Sequence, residues 1–201
     1  MPRCGILILA AGESSRLGRP KQLLELHGAT LLRRCAQTAL ATQCRPIVAV
    51  LGAYHERLTA ELANTPITTV INPDWQRGMG TSIRAGMKHI VLSQPPCDAV
   101  AILLCDQPLV RADQIDALVE RRIQCGKSVA TAAYSGTIGT PVVFAASLFD
   151  ELLALGDNEG GKKILRNAKD VVAVHIPEGA MDIDTEADFT RLTSSAPDSI
   201  Q

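Results

Sequence analysis

Side chains able to handle a phosphorylated, metal-bound ligand recur just after apolar runs in this sequence. The stretch "ILILAAGESSRLGRPKQLL", residues 6–24, leaves an oily run for a small, polar, cationic segment holding Gly12, Ser14, Ser15, Arg16, Gly18 and Lys21. Consecutive small residues leave backbone N–H groups free to point at an anion. Arg16, as a planar fork, and Lys21, as a point charge, can then neutralise phosphate. The same residues also suit an ordinary glycine turn with solvated cations. The segment is neither G-x-x-x-x-G-K-[ST] nor G-x-G-x-x-G, so it is neither a P-loop nor a dinucleotide fingerprint. A second stretch, "GDNEGGKK" at residues 156–163, comes nearer the P-loop pattern. It has Lys163 where a hydroxyl for Mg2+ is required, and a helix rather than a strand is expected before it.

Carboxylates form the second group. Asp106 follows the run "AVAILLC" and precedes Gln107 and Pro108. Hard cations such as Mg2+ take oxygen ligands, typically one or two carboxylates together with substrate phosphates. Asp106 equally suits the opening of the turn before Pro108. Asp182 and Asp184 form an acidic pair in "MDIDTEAD", residues 181–188. Either can face Asp106, since alternate residues of an extended segment point to one side. Asp184 or Thr185 also stands where the N-cap of a helix over 186–192 belongs. In "NPDWQRGMGTSIRAG", residues 72–86, glycines allow a flat base to approach the backbone. Ser82 can hydrogen-bond a base edge there, or be a first-turn helix residue.

The elements that must position these groups read as alternating strands and helices. Short apolar runs at 5–10, 46–51, 68–71, 99–105, 129–133, 142–144 and 171–176 are mostly uninterrupted, the mark of strands buried on both faces of a mostly parallel sheet. Helical spacing occupies 31–41 (with Thr30 as N-cap), 55–63, 81–92, 112–124 and 147–155. The pattern predicts an α/β fold with helices on both sheet faces. Ligands of such sheets sit at the carboxyl ends of the strands, where the glycines, cations and carboxylates above collect.

The length, 201 residues, suits one domain, expected over 1–193 with a polar tail at 194–201. Hydrophobic residues make up 46% and aromatic ones 3%, so Ala, Leu, Ile and Val must build the core. With 20 basic and 21 acidic residues the net charge is −1, which gives no support for bulk attraction to nucleic acid or membrane. The six cysteines include no C-x-x-C pair and read as buried free thiols of a reducing cytoplasm. The first apolar run is too short for a signal peptide, and no segment approaches the roughly 20 apolar residues of a membrane span.

Five motifs in order, "LAAGESSRLGRPKQLL", "NPDWQRGMGTSIRAG", "LLCDQP", "GTPVVF" and "MDIDTEADF", resemble the molybdenum cofactor cytidylyltransferase-like (MocA/MobA-related) nucleotidyltransferases. The resemblance spans about residues 6–189 and implies a single Rossmann-like nucleotidyltransferase domain. It implies Mg2+-dependent transfer of CMP from CTP to the terminal phosphate of molybdopterin, or molybdenum cofactor, with release of pyrophosphate. Carried over by motif, Leu9, Ala10, Ala11, Gly12, Gly80 and Ser82 would contact the base and ribose. Arg16 and Lys21 would hold the triphosphate, acting with Asp106 as the catalytic groups. Asp106 and Asp184 would bind Mg2+, with Asp182 in reserve. Gly139, Thr140 and Pro141 would border the acceptor. The "LAAG" form is similar to the cytidylyl members, guanylyl relatives usually having glycine where Ala11 stands. "GDNEGGKK" departs from the shorter G-D-x-G-A-[RK] of the family. The same motifs fit GTP, or a sugar or polyol phosphate acceptor, or a non-catalytic cofactor carrier for a xanthine dehydrogenase-type hydroxylase. The implied partners are a molybdenum hydroxylase or its maturation chaperone.

Overall fold

Strand β1 (Cys4–Ala10) is buried along its whole length because a neighbour pairs with each edge and helices cover each face. The computed structural model describes residues 3–194. On one edge β1 pairs in parallel with β4 (Ile47–Leu51), which pairs in parallel with β5 (Thr68–Ile71). On the other it pairs in parallel with β6 (Ala99–Leu104). Then β8 (Thr137–Ala145) runs antiparallel between β6 and β7 (Val129–Tyr134), and β9 (Val171–His175) closes the edge parallel to β7. The order is β5-β4-β1-β6-β8-β7-β9. A two-strand ribbon, β2 (Glu25–Leu26) with β3 (Ala29–Thr30), stands apart.

The pleat sends alternate side chains of β1 into two cores. Ile6, Ile8 and Ala10 pack with α1 (Leu31–Ala41), α2 (His55–Glu61) and α4 (Ala112–Gln124) through Leu32, Leu58 and Ile115. Leu7 and Leu9 pack with α3 (Met79–Val91), α5 (Phe149–Leu153) and α6 (Gly161–Asn167) through Ile83, Met87, Phe149 and Ile164. Each such buried aliphatic side chain contributes about 1.5–3 kcal/mol. The expected α/β fold with helices on both faces is therefore the one observed.

A third, smaller core decides the site. Leu17, Leu24, Leu26 and Leu31 pack against Ile183 and Leu192, with Met181 and Phe189 at its edge. It fastens the segment after β1 to the last helix, α7 (Glu186–Ser194). Arg19 adds a fork to Glu186, at 2.7 and 2.8 Å, and lies over the Phe189 ring.

Several expectations need correction. The edge strands β5 and β9 are only part-buried, because each has a single strand neighbour. β8 begins at Thr137 rather than 142, so Gly139, Thr140 and Pro141 lie inside a strand. α6 is an additional helix, opened by Gly160 and Gly161 of "GDNEGGKK". Ser194, the expected start of the polar tail, closes α7, and residues 195–201 lie outside the described residues. All six cysteines are free, as expected, but Cys35 and Cys125 are only part-buried. Among the described residues no helix is long and apolar enough to cross a membrane.

Candidate active site

The loop after β1 is braced from beneath by a residue the motifs did not single out. Gln22, 1% exposed, donates through Nε2 to the carbonyls of Ala10 (3.1 Å) and Gly12 (2.7 Å). The Ser14 hydroxyl faces Gln22 Oε1 and accepts the Lys21 N–H at 3.1 Å. Ser14 and Gly18 take left-handed backbone, φ 62° and 70°, which turns the chain back on itself. Across the loop the Ala11 carbonyl accepts from Ala53 N–H at 3.0 Å. With the carbonyls so engaged, the N–H groups of Gly12, Glu13, Ser14, Ser15 and Arg16 have no protein acceptor among the described residues. A Cβ at Gly12 would meet nothing within 4 Å, so its backbone faces open space. Free donors on a braced loop are what an anion cradle requires.

The charged groups converge beside this loop. Lys21 Nζ bonds Asp106 Oδ2 and, at 3.0 Å, Asp184 Oδ1. Arg16 reaches Asp184 Oδ2 at 2.8 Å, with its side chain 71% exposed. The Ile183 N–H donates to the Asp106 carbonyl at 3.0 Å, tying the two acidic segments together. Burial opposes the charge on Lys21, but Asp106 and the bonds to Asp106 and Asp184 outweigh it and raise its pKa. Burial likewise opposes ionisation of Asp184, while Lys21 and then Arg16 hold its carboxyl below the ordinary value. Desolvation, followed by the charges of Asp106 and Asp184, pushes Asp182 upward. Asp182 reaches neither cation. Burial and the Asp106 charge also keep the Cys105 thiol protonated, so it offers no thiolate nucleophile.

Thr185, not Asp184, caps α7. Its Oγ1 accepts the Asp188 N–H at 3.2 Å, and Asp188 Oδ2 accepts the Thr185 N–H at 2.9 Å. This reciprocal pair leaves the Asp184 carboxylate to the cations.

A cavity of about 280 Å³ is lined by Leu9, Ala10, Ala11, Gly12, Lys21, Gln22, Trp75, Gly78, Met79, Ser82, Leu104, Cys105 and Asp106. Seven of the residues expected from the sequence thus share one cavity. Gly80 does not. It is buried, its N–H bonds the Asp157 carbonyl at 2.9 Å, and a Cβ there would come 2.0 Å from the Gly156 carbonyl oxygen. Its lack of a side chain serves the close approach of the 156–159 loop, not of a base. Asp157 extends the clamp to Arg77 (2.9 Å) and Arg84 (2.6 Å) on either side of the α3 N-terminus. In the same loop Lys163 is paired with Glu159 at 2.6 Å. "GDNEGGKK" braces α3 and forms no P-loop.

Gly139, Thr140 and Pro141 lie outside that cavity. Gln107, next to Asp106, donates to the carbonyls of Thr140 (3.2 Å) and Gly179 (2.8 Å). Tyr134 occupies the space left by two glycines: a Cβ at Gly139 would fall 2.5 Å from its hydroxyl, and one at Gly179 2.7 Å from its ring.

The donor set fits a divalent ion of the Mg2+ kind. Asp106 Oδ1 is buried without a hydrogen-bond partner, and Asp184 supplies a second carboxylate. Among the described residues no three His, Cys, Asp or Glu form a group that could hold a metal ion by themselves.

The loop and the cation–carboxylate cluster lie at the carboxyl edge of a mostly parallel sheet, where Rossmann-like folds bind their ligands, and the fold is that of the nucleotidyltransferases. More particularly, the chain belongs to the MobA-like NTP transferase domain family, whose profile matches residues 6–172. Asp182 and Asp184 fall beyond that match. The chain is similar to the nicotine blue oxidoreductase of Paenarthrobacter nicotinovorans, 30% identical over 198 residues that cover 92% of this chain and 94% of that protein. It is similar to the purine catabolism protein PucB of Bacillus subtilis (strain 168), 26% identical over 170 residues covering 81% of this chain and 80% of PucB. The Rv0371c protein of Mycobacterium tuberculosis H37Rv shares the fold with a TM-score of 0.82 at 24% identity, across 96% of this chain and 99% of that one. A second structure of that protein is a complex with manganese.

Proposed function

We propose that the protein transfers CMP from CTP to the terminal phosphate of molybdenum cofactor, releasing pyrophosphate. The observation that carries this reading is Lys21, held by Asp106 and Asp184 at the mouth of the cavity formed by the Ala10–Ala11–Gly12 loop. The free N–H groups of residues 12–16 would receive the triphosphate. Lys21 would offset charge growing on the α-phosphate, and the exposed Arg16 would follow the departing pyrophosphate. A phosphate monoester with a second pKa of about 6 is already largely dianionic at neutral pH, so the attacking oxygen needs no general base. Catalysis then reduces to positioning and charge neutralisation. Asp106 and Asp184 would hold Mg2+, which supplies further neutralisation of phosphate charge when bound.

Ala11, whose methyl lines the cavity, supports CTP over a bulkier purine nucleotide. The motif resemblance supports the molybdenum cofactor as acceptor, bordered by Gly139, Thr140 and Pro141. Within this reading residues 1–193 act as one cytoplasmic domain that hands its product to a molybdenum hydroxylase or its chaperone. A pure carrier needs no α-phosphate machinery, so Lys21 and its two carboxylates favour transfer.

The test mixes protein, Mg2+, molybdenum cofactor and each of the four common nucleoside triphosphates, and measures pyrophosphate. Release with CTP that depends on the cofactor is expected. Release with GTP alone would move the base assignment, and none with any nucleotide would overturn the reading.

A further inference from the structure

Asn72 follows β5 and is 3% exposed. Its Oδ1 accepts the backbone N–H of Asp74 at 3.0 Å. A backbone N–H can only donate, so this bond fixes which end of the amide is oxygen. The Nδ2 end therefore faces α3, where its two hydrogens reach Thr81 Oγ1 at 2.8 Å and Ser82 Oγ at 2.9 Å. Thr81 commits its own hydrogen to the carbonyls of Gly78 (2.8 Å) and Asp74 (3.1 Å). Ser82 differs: it accepts from Asn72, donates to nothing among the described residues, and lines the cavity.

We propose that Asn72 is a positioning residue that turns the Ser82 hydroxyl hydrogen into the cavity, where Ser82 donates to an acceptor atom of the nucleobase. The inference rests on the reading of this cavity as a nucleotide site and adds a positioning residue to it. A hydroxyl usually rotates to suit its partner and so discriminates little. A hydroxyl carries one hydrogen and two lone pairs; with one lone pair engaged by Nδ2, the hydrogen cannot point at Asn72 and is left for an acceptor in the cavity. The pairing edge of cytosine offers O2 and N3 as acceptors beside a single amino group. Either acceptor can take the Ser82 hydrogen, and that bond is lost when the hydrogen is turned away.

The test is a double-mutant cycle read by calorimetric CTP affinity and by kcat and KM for pyrophosphate release. Ser82→Ala is expected to raise Kd and KM for CTP about tenfold, the size of one net neutral hydrogen bond, with kcat near wild type. Asn72→Asp keeps the shape but offers only acceptors, so it draws the Ser82 hydrogen inward. It is expected to cost at least as much, with Ser82→Ala adding nothing further in the double variant. Asn72→Ala frees the hydroxyl to rotate and is expected to cost less than Asn72→Asp. Should Asn72→Asp fail to fold, the cycle with Asn72→Ala carries the test through the same lack of additivity. A purely structural Asn72 would lower Tm while the two losses add. Additive losses, or a Ser82→Ala variant that binds CTP like wild type, would overturn the inference alone. Wild-type protein that binds none of the four nucleotides would remove the nucleotide reading and this inference with it.

Discussion

Lys21 stands between two carboxylates that would otherwise repel each other, and its side chain is only 17% exposed. Its charge is thus fixed in place before substrate arrives, which is what electrostatic preorganisation requires. Lys21→Ala is expected to lower kcat about 10²–10³-fold, by analogy with removal of one donor to a developing charge. Pyrophosphate release together with CTP affinity checks it. If both stay near wild type, the loop is a turn and not a cradle. That Lys21, Asp106 and Ser82 share one cavity was legible because their motifs each follow a strand. Gln22 and Asn72 were not, although each lies inside a quoted motif. The bonds their Nδ2 and Nε2 groups donate go to partners nine to twelve positions away, and no spacing rule marks an amide for that. Gly80 was legible as a glycine but not in its purpose, because a sequence does not say which neighbour presses on a missing Cβ.

At the scale of elements, the Thr185–Asp188 cap separates two roles that the sequence left merged. Asp184→Ser is expected to keep near-normal thermal stability, to collapse activity and to raise the Mg2+ requirement. Thr185→Ala is expected to cost about 1 kcal/mol of stability with little change in chemistry. Melting curves alongside activity at limiting Mg2+ check both. The reverse pattern would make Asp184 a cap and shift the metal assignment to Asp182. Asp170 makes a second structural tie, accepting the Ser128 N–H at 2.8 Å and the Ser128 hydroxyl where β7 and β9 begin. These bonds to Ser128 hold its carboxyl below the ordinary value against a smaller opposing effect of desolvation. A depressed carboxyl stabilises above the unfolded-state pKa, and that contribution is lost as pH falls through the folded-state value. Asp170→Asn is therefore expected to lower Tm at neutral pH, with the gap to wild type closing in acid. A gap that stays constant with pH would show that the bonds, not the charge, matter. α1 and α4 were legible to their ends, since a regular apolar stripe and flanking turns bound them. α6 escaped because a seven-residue helix opening on glycines carries too little periodicity, and β2 and β3 because two residues carry none.

Across the whole molecule, the small core of Leu17, Leu24, Leu26, Leu31, Ile183 and Leu192 holds together segments about 160 positions apart in the chain. Apolar packing and the bond from the Ile183 N–H to the Asp106 carbonyl fasten Asp184 near Asp106, and Lys21 with Arg16 balances their charge. The fold should then be indifferent to metal, and only the triphosphate should create strong demand for it. A chelator is expected to leave the Tm of the protein alone unchanged, and Mg2+ alone is expected to move it little. Mg2+ with CTP at a hundred times its Kd should stabilise by about 2.7 kcal/mol, roughly 5–10 °C for a chain of this length. CTP with chelator should do much less, because two carboxylates then face the phosphates without the ion that reconciles them. Thermal shift in those four conditions decides the matter. A Tm that falls on chelation without nucleotide would reveal a structural metal, and equal shifts with and without Mg2+ would show that Lys21 and Arg16 suffice for binding.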